Sequence, residues 1–174
     1  DQAGNNATSG YFNYTTDTTA PTAFNLTTPL NNTISNNLTP TFNWNRTTEA
    51  NFANYTLQIS NGTNFETINY TAISTVRTET NATANVTIER TWYWRVIAFD
   101  QAGNNATSGY FNYTTDTTLP IINGTLNRTK PRNYDVINAS FNATDENSLS
   151  TGQVIINITG AKQYFNFSLS SNTA

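Results

Sequence analysis

Asparagine is followed two positions later by serine or threonine 19 times in this 174-residue chain. The triplet N-x-S/T is the acceptor for N-linked glycosylation. It places the modified asparagine on the surface of an exported protein. With 29 Asn and 45 Ser plus Thr, random placement would give about 7.5 such triplets. Composition alone therefore does not account for the number. The acceptor positions are Asn6, Asn13, Asn25, Asn31, Asn37, Asn45, Asn54, Asn61, Asn69, Asn81, Asn85, Asn105, Asn112, Asn123, Asn127, Asn138, Asn142, Asn157 and Asn166. The plain alternative is a Thr/Asn-rich β-protein with accidental sequons. The excess favours dense glycosylation, with covalent glycans as partners.

Little else in the sequence could do chemistry. Histidine and cysteine are both absent, which removes the commonest general base, the thiolate nucleophile and most transition-metal sites. The only lysines are Lys130 and Lys162; a lysine–asparagine crosslink is conceivable there, without a recognisable motif. Asp116 with Asp145 and Glu146 could offer Ca²⁺ the hard oxygen ligands it needs. In the ordinary reading Asp116 caps a turn and 145–147 is a solvated loop. Tyr93 and Tyr110 could stack on a sugar, although cross-strand packing is the simpler role. No catalytic residue, metal ligand set or cofactor is assigned, and the chain is read as non-enzymatic.

Charge narrows the partners. The formal net charge is −3, with no Lys/Arg cluster, which argues against nucleic acid and anionic membrane surfaces. Charged residues make up only 11% of the chain, against about 25% in ordinary soluble domains. Glycans would supply the missing solvation. No run approaches the ~18 apolar residues of a membrane span, and no signal peptide is recognisable. Methionine is absent, so the expectation is that further sequence precedes Asp1.

The elements that must position the sequons are organised by a repeat. Residues 1–19 and 100–118 both read DQAGNNATSGYFNYTTDTT, 99 positions apart. A period near 100 residues is the size of one small domain and too long for a solenoid unit. Each copy opens with a turn, continues as a strand and closes on D-T-T-x-P, a linker. The expected organisation is the terminal strand of a preceding module in 1–16, a complete module in 17–116, and the start of a different, incomplete module in 117–174.

Short alternating runs rich in Thr, Tyr, Phe, Val and Ile, broken by Asn/Gly/Pro turns, predict an all-β chain. Expected inward faces are Phe24 and Leu26; Phe42 and Trp44; Tyr55, Leu57 and Ile59; Val86 and Ile88; Trp92, Trp94, Val96 and Ala98; Phe111 and Tyr113. Trp44 and Trp94 are expected to pack together. Residues 31–37 read as a turn, 64–71 as an edge strand, and 72–80 are ambiguous. In the trailing module the faces are Ile137, Ala139, Phe141 and Ala143; then Val154, Ile156 and Ile158; then Phe165, Phe167 and Leu169. Side-chain alternation along a strand puts Asn45, Asn54, Asn85, Asn112, Asn138, Asn142, Asn157 and Asn166 on outward faces.

The motifs P-T-F-N-W-N, Y-T-L-Q-I-S, T-W-Y-W-R-V-I-A-F, D-Q-A-G-N and D-T-T-x-P, in that order, resemble fibronectin type III-like and related Ig-like modules of microbial surface proteins. The resemblance covers all of 17–116 and implies an antiparallel β-sandwich. One departure is Trp92, which stands where the family usually has its corner tyrosine. The stretches D-V-I-N-A-S-F-N-A-T-D-E-N-S-L-S and Q-V-I-I-N-I-T-G resemble a different Ig-like module, common in heavily glycosylated archaeal surface proteins. The expected function is structural: a component of a glycosylated extracellular filament or S-layer at the cell surface, built from tandem sandwiches. Its protein partner would be itself, as a continuous array or as subunits joined by strand exchange, with the array favoured. An adhesin stalk or carbohydrate-binding accessory module is the alternative.

Overall fold

The structure, a computed structural model, describes residues 1–126, 139–147, 149, 151–158 and 161–168; for 126, 156–158 and 161–168 it describes the backbone alone. All regular structure among the described residues is β. None of them forms a helix long and apolar enough to cross a membrane. Two compact units are present, one of Asp1–Thr33 and Asn37–Thr114, the other of Ile34–Asn36 and Thr115–Ala174.

Residues 26–115 carry β1 (Leu26–Thr28), β2 (Thr33–Ser35), β3 (Thr41–Trp44), β4 (Phe52–Ser60), β5 (Ile68–Ser74), β6 (Asn81–Thr83), β7 (Thr91–Asp100), β8 (Asn105–Thr107) and β9 (Phe111–Thr115). They form a three-stranded sheet in the order β1-β3-β6 and a larger one in the order β2-β9-β7-β4-β5, with β8 beside β7. The pairings β1–β3, β3–β6, β4–β5, β4–β7, β7–β8 and β7–β9 are antiparallel.

The two sheets close on one apolar core. The central strands β4 and β7 set Tyr55 opposite Ala98, Leu57 opposite Val96 and Ile59 opposite Trp94. All six side chains are fully buried. Large beside small across the ladder fills the layer without overpacking. The three-stranded sheet answers with Leu26, Phe42 and Trp44, also buried. Phe42 meets Trp94 edge-on at 4.9 Å between centroids, and Trp44 meets Tyr55 at 5.5 Å. Both tryptophans are thus in the core, but the ring partner of each is a smaller aromatic on the facing sheet. The Tyr55 hydroxyl accepts from Thr47 N at 2.8 Å. Burial pushes its pKa up, against the opposing effect of that bond, so the phenol stays neutral in the core.

Several elements differ from the sequence expectation, each for a local reason. The polar 31–37 stretch contains β2 at a sheet edge, where a single half-exposed strand needs no apolar face. The edge strand expected over 64–71 runs instead from Ile68 to Ser74. Val86 and Ile88 do not mark a strand, because β6 ends at Thr83. Ala84 N and Val86 N still donate to Pro40 O and Leu38 O, but Pro40 has no N–H to complete the ladder. Val86 is buried nonetheless, whereas Ile88 is 58% exposed. Trp92, at the start of β7, donates from its indole Nε1 to Ile88 O at 3.2 Å, four residues upstream.

The first unit also fixes where the chain passes through it. Asp17 accepts from Thr19 N and Asn51 Nδ2, and its carbonyl accepts from Asn104 Nδ2. The bonds from Asn51 and then Thr19 hold the Asp17 carboxyl below its ordinary range. Asn104 is bonded in turn to Asp100, at the end of β7. Thr114 pairs with Thr91, at the opposite end of that strand.

In the second unit β10 (Ile121–Leu126) pairs with β11 (Ala139–Thr144), and β12 (Thr151–Ile158) with β13 (Ala161–Ser168), as two separate hairpin-like ladders. From Asp116 to Ile155 no described side chain is buried. Phe141 is 51% exposed, and Ile121 and Ile122 are also open. The expected inward positions Ile137 and Leu169, and the side chains of Ile156, Ile158, Phe165 and Phe167, lie outside the described residues.

Candidate modification surface

Fifteen of the 19 sequon asparagines have described side chains, and none of them is buried. Thirteen are exposed; Asn54 and Asn112 are half-buried. Strand parity explains the pattern. Asn85 lies between the buried Ala84 and Val86, and Asn45 directly follows the buried Trp44, so each turns away from the core. Asn142 on β11 is exposed as well. Asn54 and Asn112 also alternate with core residues, but they sit on paired interior strands, opposite Phe99 and Tyr93 respectively. Asn127 and Asn138 lie outside the described residues, as do the side chains of Asn157 and Asn166.

Hydrogen bonding separates two populations of asparagine, a feature that sequence reasoning did not reach. The glycan-bearing atom of a sequon is Nδ2. Among the described residues, the Nδ2 groups of Asn5, Asn43, Asn51, Asn104 and Asn147 donate bonds of 2.7–2.9 Å to Asp1, Thr28, Asp17, Asp100 and Asp116. None of these five is in a sequon. They fasten turns and strand ends. Asn31, Asn37, Asn54 and Asn69 accept bonds at Oδ1, the other end of the amide. In two sequons the donor is the sequon's own hydroxyl: Thr39 to Asn37 at 3.3 Å, and Thr56 to Asn54 at 3.0 Å. Within a sequon, Asn112 Nδ2 also donates, to Asn32 Oδ1 at 2.8 Å.

Comparison with known proteins finds no family model that matches this chain, no similar curated protein and no similar solved structure. The surface must be read on its own chemistry.

The other candidates are less open. Tyr93 and Tyr110 pack against each other edge-on at 5.9 Å, and Tyr110 also meets Phe65. Arg95 lies over the Phe65 ring at 4.2 Å while its Nε donates to Gln58. The aromatics are thus packed on one another, with Tyr110 still 50% exposed. Asp116 accepts from Thr118 N at 3.1 Å and Asn147 Nδ2 at 2.7 Å, and Asp145 accepts from Asn147 N at 2.9 Å. Lys130 and the Lys162 side chain lie outside the described residues.

Two sequons are set apart, one by burial of its hydroxyl residue and the other by the bonds on its asparagine. Thr47, the hydroxyl residue of the Asn45 sequon, is 1% exposed and donates to Thr22 O at 2.6 Å. A transferase that must reach both asparagine and hydroxyl can act there only before the module closes. Asn112 is held by Asn31 and Asn32 together. We expect a sequon-specific oligosaccharyltransferase acting on the refolded, unmodified chain to modify Asn61 and Asn85. Asn45 and Asn112 should stay bare. Peptide mapping checks this; transfer to Asn45 at the rate seen for Asn85 would contradict it.

Proposed function

We propose that this chain is a length of a heavily N-glycosylated extracellular structural protein, made of tandem Ig-like or fibronectin III-like sandwiches in a surface filament or layer. The observation that carries the reading is the division among asparagines. None of the fifteen sequon asparagines with described side chains is buried, whereas Asn5, Asn43, Asn51, Asn104 and Asn147, whose Nδ2 atoms fasten turns and strand ends, all lie outside sequons. A chain with accidental sequons has no reason to sort its side chains in this way. The low content of charged residues, 11%, fits a surface kept soluble by sugars.

The module reading is supported by the sheet order, in which β1-β3-β6 faces β9-β7-β4-β5. Its structural role is supported by the path of the chain. Polypeptide arrives at the Asp100 end of β7 and leaves at the Thr91 end. Each module therefore advances the chain by the length of a ten-residue strand plus its linker, about 35–40 Å. Pro120 at the end of D-T-T-L-P stiffens the connection.

Electron microscopy of the native assembly tests this reading. A fibre or layer with an axial repeat of about 35–40 Å per module is expected. Dispersed single particles with no repeat would contradict it.

A further inference from the structure

Phe99 stands on the outward side of β7. Its chain neighbours Ala98 and Asp100 are buried, while Phe99 itself is half-buried. Alternation therefore turns its ring away from the core. Phe24, Phe42, Phe52, Phe65 and Phe111 each meet another aromatic ring, whereas among the described residues Phe99 meets none. Ile97, two positions earlier on the same face, is half-buried as well. A phenyl face left to water forgoes the burial that stabilises the other aromatics of the module.

The residues on either side of this apolar pair are all of one kind. On β4, Asn54 lies opposite Phe99 and Thr56 opposite Ile97. On β8, Asn105 lies opposite Phe99 and Thr107 opposite Ile97. Two complete N-x-T sequons thus run in the same register along both flanks of Ile97 and Phe99. Residues directly opposite in such a ladder share a face, with Cβ atoms about 4.5–5.5 Å apart. A sugar joined to either asparagine begins beside the Phe99 ring.

The two flanks differ in access. Asn54 is half-buried on an interior strand, between β7 and β5, and its Oδ1 accepts from Thr56 Oγ1 at 3.0 Å. Asn105 and Thr107 are both exposed, and among the described residues β8 pairs with β7 alone. A transferase can therefore reach both halves of the Asn105 sequon in the folded module. One ring at a time can lie on Phe99, and the β8 side is the accessible one.

We infer that Phe99 and Ile97 form a seat for the first sugar of an N-linked chain on Asn105. One face of a pyranose presents C–H groups, which suit the negative face of an aromatic ring, while its hydroxyls stay at the rim in water. The covalent link holds the sugar at high effective concentration, so a weak contact suffices to seat it. This inference rests on the glycosylation reading. It gives one glycan a packing role in the module, beyond solvation.

The test uses the full chain secreted from a glycosylating host and trimmed enzymatically to a single N-acetylglucosamine at each modified asparagine. Peptide mapping reads occupancy, and NMR of the isotope-labelled sugars reads their ring protons. The Asn105 sugar, assigned by its absence from the Asn105→Gln chain, is expected to show protons of one face shifted upfield by the Phe99 ring current. Phe99→Thr should abolish that shift and lower the melting temperature by about 3–6 °C, the effect of one aromatic contact in a domain of this size. In the Asn105→Gln chain the same substitution should lower it less than half as much. An occupied Asn105 without the upfield shift would overturn the inference and leave the glycosylation reading standing. Sugar at other sequons but none at Asn105 would do the same, as would a shift that survives Asn105→Gln and disappears with Asn54→Gln. A chain bare at every sequon would overturn both. The upfield shift is read on the unsubstituted chain, so it decides the matter even if Phe99→Thr fails to fold.

Discussion

Trp94→Ala is expected to cost the first module about 3–5 kcal/mol, the range for emptying the place of a large buried aromatic. Trp94 is fully buried, lies opposite Ile59, and meets the rings of Phe42 and Phe111 at 4.9 and 5.9 Å. It ties the larger sheet to the smaller one through Phe42. Its Nε1 is buried without a hydrogen-bond partner, as is that of Trp44. An unmet buried donor costs about 1–3 kcal/mol, so Trp94→Phe removes that cost while keeping most of the ring. It should therefore lose less than half as much as the alanine variant. Ile88→Ala, at a residue that is 58% exposed, should change stability by less than about 1 kcal/mol. Urea denaturation of the three variants checks the ordering. A loss near zero for Trp94→Ala would mean that the two sheets do not share this core.

Much of the first unit was legible because its strands are long and alternate cleanly. Tyr55, Leu57 and Ile59, and Trp92, Trp94, Val96 and Ala98, announce their inward face by period alone, and all are buried. The short elements were harder to read. Thr33–Ser35 and Asn105–Thr107 are three-residue edge pieces, in runs where turn-forming residues dominate. Val86 and Ile88 share a parity but not a fate, because the ladder partner on that side includes Pro40, and only the backbone path decides which of the two turns in. Neither the ring partners of the tryptophans nor the indole bond of Trp92 could be read from spacing, since both depend on how the sheets cross.

The modification surface shows a similar division. The positions of the sequons and their outward parity on strands were readable from letters. Which atom of each amide is engaged was not: Asn54 and Asn112 are both sequon asparagines on paired interior strands, yet Asn54 accepts at Oδ1 and Asn112 donates from Nδ2. Likewise nothing in N-R-T announces that Thr47 will be sealed against Thr22. Asn112 has the parity of an acceptor site and the bonding of a structural one, so the two criteria separate there.

The largest expected effect on the molecule as a whole is the mass it carries in sugar. Thirteen exposed sequon asparagines among those described, on a surface with few charges, would each project a solvated chain. Such chains would also screen the edge strands β2 and β5 from pairing with stray strands. Intact-mass measurement of this chain from its native source, with site mapping after proteolysis, tests the central claim most directly. The account predicts a mass several kilodaltons above the 19.2 kDa polypeptide, with sugar on most of the exposed sequons and least at Asn112. A mass equal to that of the bare polypeptide would contradict it.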